Sequence, residues 1–415
     1  MNEINEEDVR LEVRNWLSAN WDPESDLLTW RNKLADSGWG TPTWPKEWWG
    51  RGLPVALSDV VAQEFRAAGA VGIPGGVGAA LAAATLLEHA SDIVKKHYLR
   101  PIITGEDTWC QLFSEPGSGS DLAGLTTRAE RDGDDWVING QKVWNTSAHH
   151  ARWGMLLART NWDVPKHSGI TYFIIEMDQP GVVVRPLRQS NGHSSFNEVF
   201  LTDARVSEGN LIGEVDRGWT VALATLAHER RVARIGSRRV LGEGRALDEY
   251  RDELREIMEP YTWYPQRAGR PDLLVDRANK TGASSNPAVR QEIARVLALA
   301  RASEWTGRRA KAAQKLGRPP GPEGSIAKLC TSNIAKASAR AHTLISGGEA
   351  MLAESEDTDT ALVSEILISV PAQSIAGGTD EIQRNIISER VLGLPKLPSV
   401  DSGKAFRDVP KNLAS

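Results

Sequence analysis

Apolar positions recur every three or four residues up to about residue 110, give way to short runs and alternations between 111 and 215, and resume helical spacing after Gly218. The first stretch therefore predicts helices, broken at 40–54 by an irregular loop of Pro, Gly and three tryptophans, Trp44, Trp48 and Trp49. In the middle stretch Trp136-Val137-Ile138, Asn139-Gly140 and Lys142-Val143-Trp144 predict a hairpin turning at Asn-Gly. Apolar runs at 155–158, 170–175 and 181–184 predict more strands, enough for a compact β-barrel. In the last stretch Val289, Ile293, Val296, Leu297 and Ala300 share one helical face. The segments 262–286 and 317–324, rich in Pro, Gly and charge, predict exposed connections. The fold class is α+β, mainly α: an N-terminal helical domain over 1–110, a β-barrel over 111–215, a bundle of four-helix type over 216–395 and a tail over 396–415.

Composition narrows the partners. With 54 acidic against 49 basic side chains, the net charge of -5 argues against a broad cationic surface for nucleic acid and favours a small-molecule partner. Only Cys110 and Cys330 are present, which predicts two buried thiols rather than a disulfide framework or a zinc cluster. His149-His150 has no carboxylate or thiol at ligand spacing, so no metal is predicted. An acidic N-terminus and the lack of an 18-residue apolar run predict a cytoplasmic protein that does not enter a membrane. Ser284-Ser285-Asn286 is read as the cap of the helix carrying Val289, Arg308-Arg309-Ala310-Lys311 as a solvated helical face, and the tryptophans of the early loop as packing rather than ligand stacking.

The chemistry concentrates in Gln111-Leu112-Phe113-Ser114-Glu115-Pro116-Gly117-Ser118-Gly119-Ser120-Asp121 and in Asn139-Gly140-Gln141-Lys142-Val143-Trp144-Asn145-Thr146. A redox ring needs hydrogen-bonding groups at its polar edge, an aromatic wall and backbone that approaches closely. Ser114 and Thr146 offer hydroxyls, Trp144 an aromatic face, and Gly117 and Gly119 a tight turn. Together these segments resemble the middle domain of the acyl-CoA dehydrogenase family. Gly377-Gly378-Thr379-Asp380-Glu381-Ile382-Gln383-Arg384 resembles that family's C-terminal signature, and Gly38-Trp39-Gly40 and Asp203-Ala204-Arg205-Val206 extend the likeness over nearly the whole chain. The resemblance implies FAD, with Gln111, Ser114, Ser120, Trp144, Thr146, Thr379 and Glu381 as cofactor contacts and Ser120 also near the CoA portion of an acyl-CoA substrate.

The family's reaction removes an α-proton with a carboxylate, and many members carry that carboxylate immediately before Gly-Thr in the C-terminal signature. Here the place is Gly377, which retains only its backbone N–H, a group that polarises the thioester carbonyl in the family. Isovaleryl and long-chain members instead place the base on the helix after the barrel, directly before an arginine. His228-Glu229-Arg230-Arg231 matches, so the resemblance implies Glu229 as base and Arg230 as a brace beside the substrate. Ala222, Leu226, Glu229 and Ala233 independently fall on one small apolar stripe.

Two elements by which homo-oligomeric members reach a neighbour's FAD are missing: Asp248-Glu249-Tyr250-Arg251-Asp252-Glu253-Leu254 and Leu344-Ile345-Ser346-Gly347-Gly348-Glu349-Ala350 stand where they are expected. The readings left open are a homo-oligomer with rewritten contacts and a heteromer with a second acyl-CoA dehydrogenase subunit, as in actinobacterial enzymes acting on steroid side-chain thioesters. The implied activity is α,β-dehydrogenation to a trans-2-enoyl-CoA, with electrons passed to an electron-transfer flavoprotein. The alternatives are an oxygen-using oxidase or monooxygenase of the same fold, and a catalytically silent subunit.

Overall fold

The computed structural model describes residues 5–232, 241–316, 321–352, 358–399 and 401–410, without the side chains of 230–232, 314, 315 and 358–360. It divides into two compact units: Met1–Leu187, Ser195–Pro260 and Asp401–Ser415 form the first, Arg188–Ser194 and Tyr261–Val400 the second.

The first unit opens with helices α1 (Glu6–Asn20), α2 (Leu27–Ser37), α3 (Ser58–Ala67), α4 (Ala83–His89) and α5 (Asp92–Thr104). Asn5, Asp26 and Ser91 cap α1, α2 and α5 by accepting from the first-turn N–H groups of Glu7, Thr29 and Val94. Val9, Val13 and Leu17, four residues apart, bury one face of α1 against Trp30 and Leu34 of α2. A later helix, α7 (Arg245–Met258), joins this cluster through Leu247 and Tyr250. Its Glu253 forms a forked pair with the buried Arg31 at 2.5 and 2.9 Å, and Glu249 accepts from Leu27 N at 2.7 Å. Trp44, Trp48 and Trp49 pack against the core beneath α4 and α5, as their reading as packing residues expects.

Eight strands follow: β1 (Trp109–Leu112), β2 (Arg128–Asp132), β3 (Asp135–Thr146), β4 (Trp153–Arg159), β5 (Ile170–Glu176), β6 (Val182–Leu187), β7 (Phe196–Ser207) and β8 (Leu211–Ile212). They make one sheet in the order β6-β7-β3-β2-β4-β5-β8, with β1 parallel to β4. The sheet curls around its own core: Trp136 of β3 lies 5.5 Å from Phe173 of β5, with Leu156, Val199 and Leu201 around them. β4 is buried throughout and β5 up to its last residue, because their other face is covered by α4, α5 and α6 (Gly218–Val232) through Met155, Leu157, Tyr172 and Ile174. A strand buried on both faces reads as an unbroken apolar run, which is how these two stand in the sequence.

The expected Asn-Gly hairpin is absent. Strand β3 runs straight through Asn139-Gly140, and the turn lies earlier, between Asp132 and Asp135, the last pair of the β2–β3 ladder. Gly140 instead marks a shift of register against β7, at a place where a Cβ would stand 2.5 Å from Thr127 Oγ1.

The second unit holds α8 (Tyr264–Arg267), α9 (Leu274–Lys280), α10 (Pro287–Lys315), α11 (Glu323–Ser346), α12 (Thr358–Gln373) and α13 (Asp380–Arg390). Asn286 caps α10 by accepting from Ala288 N. Val289, Ile293 and Val296 enter the core as their spacing predicts, whereas Leu297 is half exposed at the edge of that face. The segment 262–286 is not an exposed connection: it folds into α8, α9 and short 3-10 turns, burying Trp263, Leu274 and Ala278. Arg277 of α9 donates to Nδ1 of the buried His342 at 2.8 Å, and Nε2 of His342 faces Arg270 O at 3.1 Å. Of 317–324, residues 317–320 lie outside the described residues, and α11 begins at Glu323. Cys110 is fully buried, as expected, and Cys330 only partly.

Residues 401–408 form a strap on the first unit. Phe406 N donates to Val164 O at 2.9 Å, Arg407 N donates to Trp162 O at 3.0 Å, and Asp401 pairs with Lys166 at 3.0 Å. The buried Phe406 ring lies 3.5 Å from the guanidinium of the buried Arg159. Replacing Phe406 by Ala removes that cover, and an urea unfolding curve is expected to lose about 3–5 kcal/mol; a loss below about 1 kcal/mol would show that the strap is not part of the domain core.

Candidate functional site

Four hydrogen bonds join the two sequence segments singled out above. Along β3, Asn145 Nδ2 donates to Gln111 O at 2.7 Å, Val143 N to Ser114 O at 2.9 Å, and Lys142 Nζ to both Phe113 O at 3.1 Å and Glu115 Oε1 at 2.9 Å. Lys142 has no exposed surface and Glu115 is 6% exposed, so this is a buried ion pair. The remaining lone pairs of Glu115 accept from Thr126 N at 2.7 Å, Thr126 Oγ1 at 3.0 Å and Thr127 N at 2.8 Å. Burial alone pushes the Glu115 carboxyl up, but Lys142 and the threonine donors bring it down to about 2. Burial pulls Lys142 down, and Glu115 opposes that. Above this anchor a turn closed by the reciprocal Glu115–Ser118 bonds at 2.9 and 3.0 Å holds Pro116 and Gly117 out to solvent.

Trp144 stands at a bulge. The register against β7 shifts between Val143 and Asn145, leaving Trp144 unpaired at φ 66° with 57% of its surface exposed and its ring edge-on to Phe196 at 5.8 Å. A left-handed conformation in a residue this bulky costs about 1–2 kcal/mol, so the exposed indole is held out by the fold rather than left out by it. Ser147, three residues on, is also left-handed at φ 55°. Thr146, two residues after Trp144, and Ser114, whose carbonyl accepts from Val143 N, are both half-buried.

Helix α6 carries Glu229. Thr225, one turn earlier and buried, meets Thr85 Oγ1 at 2.9 Å and Tyr172 OH at 3.3 Å, which fixes the helix against α4 and β5. Ala222 and Leu226 pack into the same core. The half-buried Glu229 accepts from Gln111 Nε2 through Oε2 at 3.5 Å, so the base candidate touches a residue of the first motif. The side chain of Arg230 and all of Ala233 lie outside the described residues. Ser120 is exposed beyond the Glu115–Ser118 turn.

In the second unit, Gly377 and Gly378 take left-handed conformations at φ 66° and 84°. Gln383 Nε2 reaches back to both of their carbonyls at 3.3 Å, and Thr379 caps α13 by accepting from Ile382 N at 3.2 Å. Asp380 is buried between Lys328 at 3.1 Å and Lys336 at 2.8 Å. Burial would raise its carboxyl, yet the hydrogen bonds from Lys336, Ser332 and Lys328 hold it well below the usual carboxylate range. A Cβ at Gly377 would meet open space, so only backbone conformation requires glycine there. Glu381 is exposed and pairs with Arg384 at 3.2 Å.

The acyl-CoA dehydrogenase N-terminal, middle and C-terminal domain models match residues 2–106, 110–204 and 272–392. Acyl-CoA dehydrogenase IpdE1 of Mycobacterium tuberculosis is 34% identical over 413 residues, covering 94% of this chain and 98% of its own. The chain belongs to the acyl-CoA dehydrogenase family. Acyl-CoA dehydrogenase FadE34 of the same organism is 37% identical over 88% of this chain and 46% of its own. The solved Tcur3481-Tcur3483 steroid ACAD shares the fold at a TM-score of 0.64 and 24% identity, over 96% of this chain and 99% of its own. The ChsE4-ChsE5 complex from Mycobacterium tuberculosis does so at 0.62 and 24%, again over 96% and 99%.

Acyl-CoA dehydrogenases are FAD-dependent flavoproteins. The residues present fit a flavin ring: an exposed indole stands at a left-handed position on the strand that also carries Thr146, Val143 of that strand holds the Ser114 carbonyl, and the Lys142–Glu115 pair locks strand and loop together. Among the described residues no three His, Cys, Asp or Glu side chains are grouped to hold a metal. The rings of His149 and His150 lie 3.9 Å apart, tilted by 47°. No helix among the described residues is long and apolar enough to cross a membrane.

Sequence reading passed over Lys142, Glu115, Asn145 and Gln383 as functional supports, although all four stand inside the recognised motifs. The alternation along β3 carried a signal, since Ile138 and Lys142 lie an even number of residues apart.

Replacing Glu115 by Gln leaves the Lys142 ammonium buried without its counter-ion, and a loss of about 3–5 kcal/mol in unfolding free energy is expected, largely restored by adding Lys142→Met. Because the Glu115 carboxyl lies lower in the folded than in the unfolded chain, the pair's contribution is complete above about pH 4.5 and drains away as the pH falls toward about 2. Acid unfolding curves of the wild type are therefore expected to be steeper in that window than those of the double variant.

Proposed function

We propose that this chain catalyses the α,β-dehydrogenation of an acyl-CoA thioester to a trans-2-enoyl-CoA, with Glu229 as the α-proton base. The observation that carries the reading is the Glu229 carboxylate itself, half-buried on a helix pinned by Thr225 and hydrogen-bonded to Gln111 at 3.5 Å, in a chain whose other expected base position is Gly377. The acceptor for the β-hydrogen, which leaves as hydride, would be supplied by FAD. The chain's own groups hold it: Ser114, Trp144 and Thr146 take the ring, with Gln111, Ser120, Thr379 and Glu381 as further cofactor contacts. Ser120 also meets the CoA portion, and Arg230 braces the substrate. Polarisation of the thioester carbonyl by a hydrogen-bond donor acidifies the α-proton that Glu229 takes. Electrons leave through an electron-transfer flavoprotein.

The functional assembly is a heteromer with a second acyl-CoA dehydrogenase subunit, which supplies the adenine contacts. Two observations support this. Structural relatives bear paired subunit names, Tcur3481-Tcur3483 and ChsE4-ChsE5. The segment Asp248–Leu254, where a contact to a neighbour's FAD is expected, is committed within its own chain, Glu249 to Leu27 N and Glu253 to Arg31.

Anaerobic bleaching at 450 nm tests the base: wild-type FAD-loaded protein given a panel of short, long, branched and steroid-side-chain acyl-CoAs is expected to bleach, and Glu229→Gln to bleach at least a thousandfold more slowly, the order of loss when a catalytic acid or base is removed. Equal bleaching would remove Glu229 from the mechanism, and no bleaching by either would point to a silent subunit. Flavin counting tests the assembly. Purified alone, the chain is expected to hold less than one FAD per copy, and full occupancy would rule out the heteromer.

A further inference from the structure

We propose that Gln111 is a positioning residue for the base, locking Glu229 to the strand that carries the aromatic wall of the site; this rests on the reading of Glu229 as base. Gln111 sits in β1 opposite Met155 of β4, so its backbone is fixed on one side by the sheet. On the other side its carbonyl accepts from Asn145 Nδ2 at 2.7 Å, and the carbonyl of Asn145 accepts in turn from Asn197 Nδ2 of β7 at 2.9 Å. Asn145 and Asn197 are 2% and 0% exposed. The result is a line of carboxamides running from β7 through β3 and β1 to α6, whose last member donates to Glu229 Oε2 at 3.5 Å. Asn145 is also the residue next to Trp144, so a movement of the indole strand is passed to Gln111 through a single buried hydrogen bond.

A neutral amide suits this task. It donates a hydrogen bond to the carboxylate and thereby favours the ionised form, the only form that accepts an α-proton, while adding no charge that would bind the carboxylate too firmly to work. It is one contact of the Glu229 carboxylate among others. Titratable groups on the elements packed against α6 include Glu88 and His89 of α4, Cys110 of β1, Tyr172 and Glu176 of β5, and His167, whose ring lies 5.0 Å from that of Trp219. Glu88 pairs with His228 and His89, and Tyr172 bonds Thr225. None of them is altered in the series that follows.

The test is the pH dependence of anaerobic flavin reduction in the assembled, FAD-loaded enzyme for the wild type, Gln111→Met and Gln111→Glu. Methionine keeps the length without the donor, and the rising limb is expected about one pH unit higher, with reduction about tenfold slower on its acid side. Glutamate sets a like charge beside the base and is expected to move the limb higher still. Infrared carboxylate titration of the substrate-free protein is expected to give the same order, a readout independent of turnover, with rates compared per bound FAD and thermal unfolding expected to stay near wild type for both variants. A residue that merely packs would slow all pH values alike and leave the limb in place. Unmoved limbs in both variants, with Glu229→Gln inactive, would overturn the role of Gln111 and leave the base standing. Bleaching by Glu229→Gln would overturn both.

Discussion

The buried Lys142–Glu115 pair is the constraint on which the candidate site depends. Taking an ammonium and a carboxylate out of water costs several kcal/mol for each ion, and the cost is offset only if nearly every donor and acceptor finds a partner. Glu115 meets that condition with Lys142, both N–H groups of Thr126 and Thr127 and the Thr126 hydroxyl, and Lys142 with Glu115 and the carbonyl of Phe113. Those requirements dictate the path of the chain, because the loop after β1 must lie against β3 in one register and the 126–127 segment must close over both. Arg159, also buried, repeats the device nearby by donating to the carbonyls of Ala123 at 2.7 Å and Leu125 at 3.0 Å. Two internal cations therefore shape the loop from opposite ends.

On that rigid base the molecule holds strain where chemistry is proposed. In the second unit Gly377 and Gly378 take left-handed backbone at no such cost, whereas Trp144 and Ser147, within four residues of each other, take it against the clash of a side chain. Such conformations persist only where surrounding contacts over-determine them. Gln111 unites the two themes, since the hydrogen bonds of its backbone belong to the rigid base and its side chain reaches the carboxylate proposed to move a proton.

Much of this was legible in the sequence because helical spacing, unbroken apolar runs and motif order each report a local physical requirement. The runs at 155–158 and 170–175 fell on β4 and β5, where burial on both faces favours apolar residues and the buried Thr171 and Arg159 are bonded to Thr160 and to the carbonyls of Ala123 and Leu125. The Asn-Gly hairpin was misread because a bulge and a turn ask for the same residues. Gly140 is needed for the close approach of Thr127, and nothing local distinguishes that need from a reversal of the chain. Segment 262–286 looked exposed because Arg277 and Arg267 are charged, yet Arg277 is spent on His342 and Arg267 on Gln373. The strap at 401–408 left little trace, since its partners, Trp162 and Val164, are remote in sequence.

The strap sets an order of events during synthesis. Phe406 covers Arg159, but the whole of 261–400, which belongs to the other unit, is translated between the β-domain and the ring that covers it. At about 5–20 residues per second, the nascent sheet waits on the order of ten seconds with a buried guanidinium still open to water on one side. Residues 261–400 of the second unit are therefore synthesised before the ring that seals Arg159 in the first.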